Sequence, residues 1–154
     1  MVWQYIPELR IEAYYWHLRH GTSLTIDGYR VPVPKHWYVH YVLPNDVMLI
    51  DLNSGDSITV RTSSQPKGLT LATWEALISR PLLGGAMKVL GRKQLQAGGE
   101  TIVCIERNIE TEAVHLYPIE CRSESALEVT FRPYVSSKKS TDMFYSLLQQ
   151  LQKL

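Results

Sequence analysis

Four of the five histidines fall within 24 residues: His17, His20, His36 and His40. Imidazole is a common zinc ligand and the side chain best suited to proton transfer near neutral pH. His17 and His20 are three apart in a helix-like stretch, so they share a face. His36 and His40 are four apart in a strand-like stretch and also share a face, but an extended chain holds them about 13 Å apart. That is too far for one ion, because zinc takes three or four side-chain ligands at about 2.0–2.1 Å. The metal-ligating expectation therefore falls on His17 and His20. The reading set against it makes all four ordinary surface or sheet-face histidines.

Carboxylates are the second route to chemistry. Asp27, Asp46, Asp51 and Asp56 all stand at or beside turn signals, where aspartate accepts from nearby backbone N–H groups. Glu106, Glu110 and Glu112 flank a further turn. A glycosidase needs two carboxylates across a cleft, and no spacing here selects such a pair. The chain has no GxSxG elbow, P-loop, HExxH helix or GxGxxG ahead of a helix. Gly84, Gly85 and Gly91 match no phosphate cradle, and no cofactor is expected. Cys104 and Cys121 lie outside any CxxC pair, each in an apolar strand-like run. Two buried thiols are the expected state; a disulfide would call for an oxidising compartment.

The elements that must position these groups come from a chain of 154 residues, 45% hydrophobic and 20% charged. That suits one globular domain across residues 1–154. Sixteen basic and fifteen acidic residues leave a formal charge of +1, which argues against nucleic acid as a partner. Trp3, Tyr5, Tyr14, Tyr15 and Trp16 crowd the first sixteen positions, with His17, Arg19 and His20 after them. Aromatic residues followed by basic ones resemble the flank of a membrane segment. An N-terminal anchor upstream of Val2 is therefore expected, with residues 1–20 as a juxtamembrane helix and the cell envelope favoured over the cytoplasm. The competing reading packs these aromatics on the domain's own sheet.

Pro7 in a first turn, Glu8 near the positive end and Gly21 as a stop predict a helix over 7–19, with Leu9, Ala13 and Trp16 on one face. Period-two alternation then takes over. Leu24 and Ile26 lead to Asp27-Gly28, a hairpin signal, and Tyr29, Val31 and Val33 return. Pro32 and Pro34 confine that strand to a sheet edge or its own end. Trp37, Val39 and Tyr41 point one way, and His36, Tyr38 and His40 the other. Val47–Leu52 and the run from Ile58 continue the meander. Gln65-Pro66-Lys67-Gly68 breaks it, and Thr70 caps a helix over 71–79 that Pro81 and Gly84-Gly85 end. Met87–Gln96 and Glu100–Arg107 flank Ala97-Gly98-Gly99, and Ala113–Cys121 and Ala126–Tyr134 form another pair. Ser140 caps a final helix whose stripe is Met143, Phe144, Leu147, Leu148 and Leu151. Strands grouped in meanders predict an α+β fold, an antiparallel sheet packed by helices.

This order, and the run Asp27-Gly28-Tyr29-Arg30-Val31-Pro32-Val33-Pro34-Lys35-His36-Trp37, resembles the PsbP-like fold, shared by the photosystem II extrinsic protein PsbP and the Mog family of Ran-binding proteins. The resemblance spans most of Thr22–Leu154. It implies a non-catalytic module that binds a larger complex, and it carries over no functional residue.

The expected function is thus a non-catalytic interaction module with a protein partner, displayed at a membrane surface, with Trp37, Tyr38 and Tyr41 as its contact residues. The alternative is a small metal-dependent or hydrolytic enzyme built on His17, His20, His36 and His40.

Overall fold

Alternation of apolar and polar residues between Ser23 and Thr62 yields five successive strands in the computed structural model, which describes residues 7–62, 70–80, 87–113, 115–125 and 127–154. For Tyr41 and Val42 the backbone alone is described. Helix α1 (Pro7–His20) precedes the strands and stops at Gly21, whose φ is +74° and whose N–H donates to His17 O at 2.8 Å. Strands β1 (Ser23–Ile26) and β2 (Tyr29–Pro32) form a hairpin. Its two-residue turn puts Asp27 at φ 40° and Gly28 at φ 82°, the left-handed pair that matches strand twist. Then follow β3 (Trp37–Leu43), β4 (Asp46–Asp51) and β5 (Ser57–Thr62).

Helix α2 (Leu71–Ile78) is capped by Thr70, which accepts from Thr73 N. Strands β6 (Met87–Ala97) and β7 (Glu100–Glu110) make the longest hairpin, with Gly98 and Gly99 at φ 61° and 81°. The remaining elements are β8 (His115–Leu116), β9 (Ile119–Ser123), β10 (Leu127–Arg132), α3 (Lys138–Gln149) and β11 (Gln152–Lys153).

The strands make two antiparallel sheets. The large one runs β3-β4-β5-β10-β9-β7-β6, with β8 on β7, and the small one runs β1-β2-β11. The fold is α+β. Helix α3 and the small sheet cover one face of the large sheet. The main core lies there, joining Ile26, Val31 and Val33 to Leu49, Val60, Cys104, Val129 and Phe131 and to Phe144, Tyr145 and Leu148 of α3. Helix α1 covers the opposite face at the β3–β4 end, where Ala13 packs with Ile50 and Leu52. As a result β4 is buried on both faces, Leu49 on one and Ile50 on the other. Helix α2 contacts β7, and its Glu75 pairs with Arg92 of β6. No helix among the described residues is long and apolar enough to cross a membrane.

Four local expectations change. Cys104 and Cys121 are joined in a disulfide, with Cα atoms 4.0 Å apart, instead of standing as two thiols. The β7–β9 register sets them directly opposite one another, so their side chains share one face. The cap of α3 is Ser137, which accepts from Ser140 N at 3.1 Å, not Ser140. The run from Ala113 to Cys121 is broken into β8 and β9 at Pro118, which has no N–H for a ladder; its carbonyl accepts from Arg107 N at 3.0 Å. Strand β11 is an addition. It pairs Gln152 with Arg30 and Lys153 with Tyr29, and Leu154 N then donates to Gly28 O at 2.7 Å. The breaks at 65–68 and 81–85 lie outside the described residues.

Candidate functional site

Two surfaces and one polar cluster stand out. The first surface is an apolar pocket where β2, the large sheet and α3 meet. Its floor is formed by Trp37, Leu49, Val60 and Val129, and Phe144 and Leu148 of α3 close one side. Half-buried Pro32, Pro34 and Leu147 make the rim. The cavity measures about 20 Å³, room for about one water molecule. Alternation places these residues: Leu49, Val60 and Val129 are the α3-facing residues of three neighbouring strands. Trp37 is 1% exposed, and its indole Nε1 is buried with no hydrogen-bond partner. The other lining side chains are all apolar.

The second surface is the outer face of α1. Leu9, Ala13 and Trp16 point at the sheet. Ile11, Tyr14 and Leu18, three and four apart, share the face turned away from it and are 59%, 61% and 65% exposed. One helix therefore carries two apolar stripes. Beside the outer stripe is a cleft lined by Arg10, Tyr14, His17, Leu18 and Lys35. Arg10 is anchored by donating to Leu52 O at 2.8 Å and to Asn53 Oδ1 at 3.3 Å, neither of them a carboxylate.

The polar cluster ties the two hairpins to the C-terminal strand. Tyr29 Oη donates to Glu100 Oε2 at 2.8 Å and meets Ser125 Oγ, while Lys153 Nζ donates to Glu100 Oε1 at 2.9 Å. Burial would raise the Glu100 carboxyl, but hydrogen bonds from Ser125, Lys153 and Tyr29 outweigh it and hold the group below its ordinary range. Burial, followed by Glu100, pushes the Tyr29 hydroxyl up. The bond to Glu100 raises Lys153. On α3, Tyr145 Oη donates to Glu106 Oε1 at 2.7 Å, and burial followed by that carboxylate pushes the hydroxyl well above its ordinary value.

Among solved structures, the chain is similar to cyanobacterial PsbP (CyanoP) from Synechocystis sp. PCC 6803. The TM-score is 0.51 and the identity 15%, covering 83% of this chain and 88% of that one. The fold is PsbP-like. A protein of unknown function from Pseudomonas aeruginosa, PA94, is similar with TM-score 0.47 and 12% identity over 83% of this chain and 93% of that one. No protein-family model and no curated protein matches the chain.

Within this PsbP-like frame the histidines are dispersed. His17 Nδ1 lies 2.7 Å from Gly21 O and Nε2 lies 3.1 Å from Trp37 O, so each ring nitrogen faces a backbone carbonyl. His20 stacks on Trp16 with Nδ1 2.9 Å from Trp16 O. His36 Nε2 sits 3.5 Å from Asp51 Oδ2, and His40 stands beside Tyr38. No set of three or more histidine, cysteine, aspartate or glutamate side chains converges among the described residues. The aspartates serve turns and ladders. Asp51 Oδ1 accepts from Asn53 N at 2.8 Å, Asp56 Oδ1 from Tyr134 N at 2.7 Å, and Asp27 Oδ2 from Thr62 Oγ1 at 2.9 Å.

Trp37 is interior, and Tyr38 is half-buried beneath α1 with Leu9 and Met48. Trp37 packs in the main core, and α1 with Leu9 covers Tyr38, so neither is open to a partner. The Tyr41 side chain lies outside the described residues. The outer stripe of α1 went unread in the sequence, although the spacing of Ile11, Tyr14 and Leu18 carries it. The tryptophan N–H without a partner and the Tyr29–Glu100–Lys153 cluster were not readable, since each depends on segments far apart in the chain.

Proposed function

We infer that this domain is a non-catalytic interaction module that works at a membrane surface, with the outer face of α1 as its contact. One observation carries the reading: α1 holds a second apolar stripe, Ile11, Tyr14 and Leu18, directed away from the sheet its first stripe covers. Exposed apolar residues grouped on one face mark an interaction surface. Tyrosine is at home where lipid meets water, and an apolar face flanked by cations suits an anionic interface. Arg10 and Lys35 supply the cations on one flank. The Cys104–Cys121 bridge supports an oxidising compartment such as the cell envelope.

Vesicle flotation tests this reading. The domain is expected to float with vesicles holding about a third anionic phospholipid and to float less with purely zwitterionic ones. Leu18→Glu combined with Tyr14→Glu inserts two charges into the stripe and should lower the floated fraction at least tenfold, while leaving the circular dichroism spectrum unchanged. Equal flotation of variant and wild type would remove the helix from the reading. Absence of flotation on any vesicle would remove the membrane.

A further inference from the structure

The cleft between α1 and the β2–β3 connection is open, measures about 400 Å³ and is lined by Arg10, Tyr14, His17, Leu18 and Lys35. Arg10, Tyr14 and Leu18 stand four apart, so one row of the helix runs from a cation through a tyrosine to an apolar end. His17 Nε2, 3.1 Å from Trp37 O, ties that row to the opposite wall. Arg10 donates to Leu52 O, and Leu52 N donates to His36 O, so the guanidinium is anchored beside the residue that follows Lys35. Among the described residues no carboxylate lines the cleft, and neither Arg10 nor Lys35 forms an ion pair. Asp51, the carboxylate next to this corner, is engaged by His36 and by Asn53 N. With two of its five N–H groups used, Arg10 keeps three, and Lys35 keeps all three of its own. Two exposed cations on one cleft call for an anion with several acceptor oxygens.

We propose that this cleft seats the phosphate of a single anionic glycerophospholipid between Arg10 and Lys35, with the start of its acyl chains along Tyr14 and Leu18. A guanidinium fork and an ammonium point charge both suit phosphate oxygens. Because neutral acceptors hold Arg10 in place, it keeps its full charge and has little freedom to lose when the phosphate arrives. A choline head group carries its own cation beyond the phosphate, toward Arg10 and Lys35, so the cleft selects against it. The site presupposes that α1 meets a membrane, and adds the choice of one head group to the general attraction of cations for an anionic surface.

Dihexanoylphosphatidate, used where it is dissolved as single molecules, is the probe. The Arg10 Nε–H and the amides of Tyr14, Leu18 and Lys35 report binding in ¹H–¹⁵N spectra, and all are expected to shift saturably. Dihexanoylphosphatidylcholine, with the same chains, should bind about tenfold more weakly, and so should glycerophosphate, which keeps the phosphate and lacks the chains. Lys35→Gln, in an exposed connection, should weaken phosphatidate binding about tenfold. Arg10→Gln combined with Lys35→Gln should abolish it. Lys138→Gln combined with Lys139→Gln removes the same charge from exposed positions of α3 and should leave binding unchanged. The site is overturned by absence of a saturable shift, by equal affinity for phosphatidylcholine, or by unchanged binding in Lys35→Gln. Glycerophosphate binding as tightly as phosphatidate would assign the cleft to a free phosphate ester and overturn the lipid. Wild-type flotation on anionic vesicles alongside any of these results leaves the membrane contact of α1 standing without the site. A wild type that floats on no vesicle loses the membrane contact, and the lipid with it.

Discussion

Glu100 draws its stability from donors around a buried carboxylate, and this fixes the sign of its pH dependence. Its ionised form is favoured in the fold by Ser125, Lys153 and Tyr29, so its folded-state pKa is lower than in the unfolded chain. The stability it adds is present above the unfolded value near pH 4.3 and disappears as pH falls through the folded value. Lys153 behaves in the opposite sense: its raised pKa gives a contribution present below about pH 10.4 and lost above its folded value. Lys153 is half exposed, so its share is screened. Glu100→Gln is expected to cost about 1–3 kcal/mol at pH 7. Urea unfolding across pH should show the gap to wild type shrinking below about pH 4. A gap that stays constant down to pH 3 would mean that the charge of Glu100 contributes nothing.

At the level of elements, the Cys104–Cys121 bridge couples β7 to β9 across seventeen positions of chain. Closing a loop of that size in the unfolded state stabilises by about 3 kcal/mol. Urea curves with and without reductant should differ by about 2–4 kcal/mol; coincident curves, with the free thiols confirmed by labelling, would show that the ladder holds these strands without it. The bridge also marks where the sequence stops being readable. Hairpins announced themselves locally, because Asp27-Gly28 and Gly98-Gly99 are residue pairs that tolerate positive φ. The α3 stripe was legible because its period matches a helix; Phe144, Tyr145 and Leu148 are buried, and Leu151 just beyond them is buried as well. The cysteine pairing was hidden because it depends on register between β7 and β9, which no local pattern encodes. Trp37 and Tyr38 were expected as contact residues because alternation tells which face a residue takes, not whether that face is covered; Trp37 lies in the main core and Tyr38 beneath α1. The pocket beside Trp37 was equally hidden, since its walls come from β2, β3, β4, β5, β10 and α3.

For the whole molecule, the question is how a three-stranded sheet stays seated on an eight-stranded one. The shared core does most of it, but the C-terminal residues act as a strap. Gln152 and Lys153 pair with Arg30 and Tyr29, Leu154 N donates to Gly28 O at 2.7 Å, and Lys153 reaches Glu100 at the β6–β7 hairpin. Gly98 packs so closely under this strap that a Cβ there would lie 2.8 Å from Lys153 N. The last three residues therefore tie the first hairpin of the chain to a hairpin some seventy residues later. Removing residues 152–154 deletes two strand pairings and one backbone bond, each worth about 0.5–1.5 kcal/mol, and takes away one partner of Glu100. The expected loss is about 2–4 kcal/mol, with faster amide exchange concentrated in β1 and β2 while β7 and β9 remain protected. Gly98→Ala should produce the same exchange pattern with residues 152–154 in place, because the added methyl group displaces the strap and the φ of +61° is strained for alanine. If exchange rises evenly over both sheets in either variant, the strap is one contact among many; if it rises in the small sheet alone, the C-terminus is what couples the two.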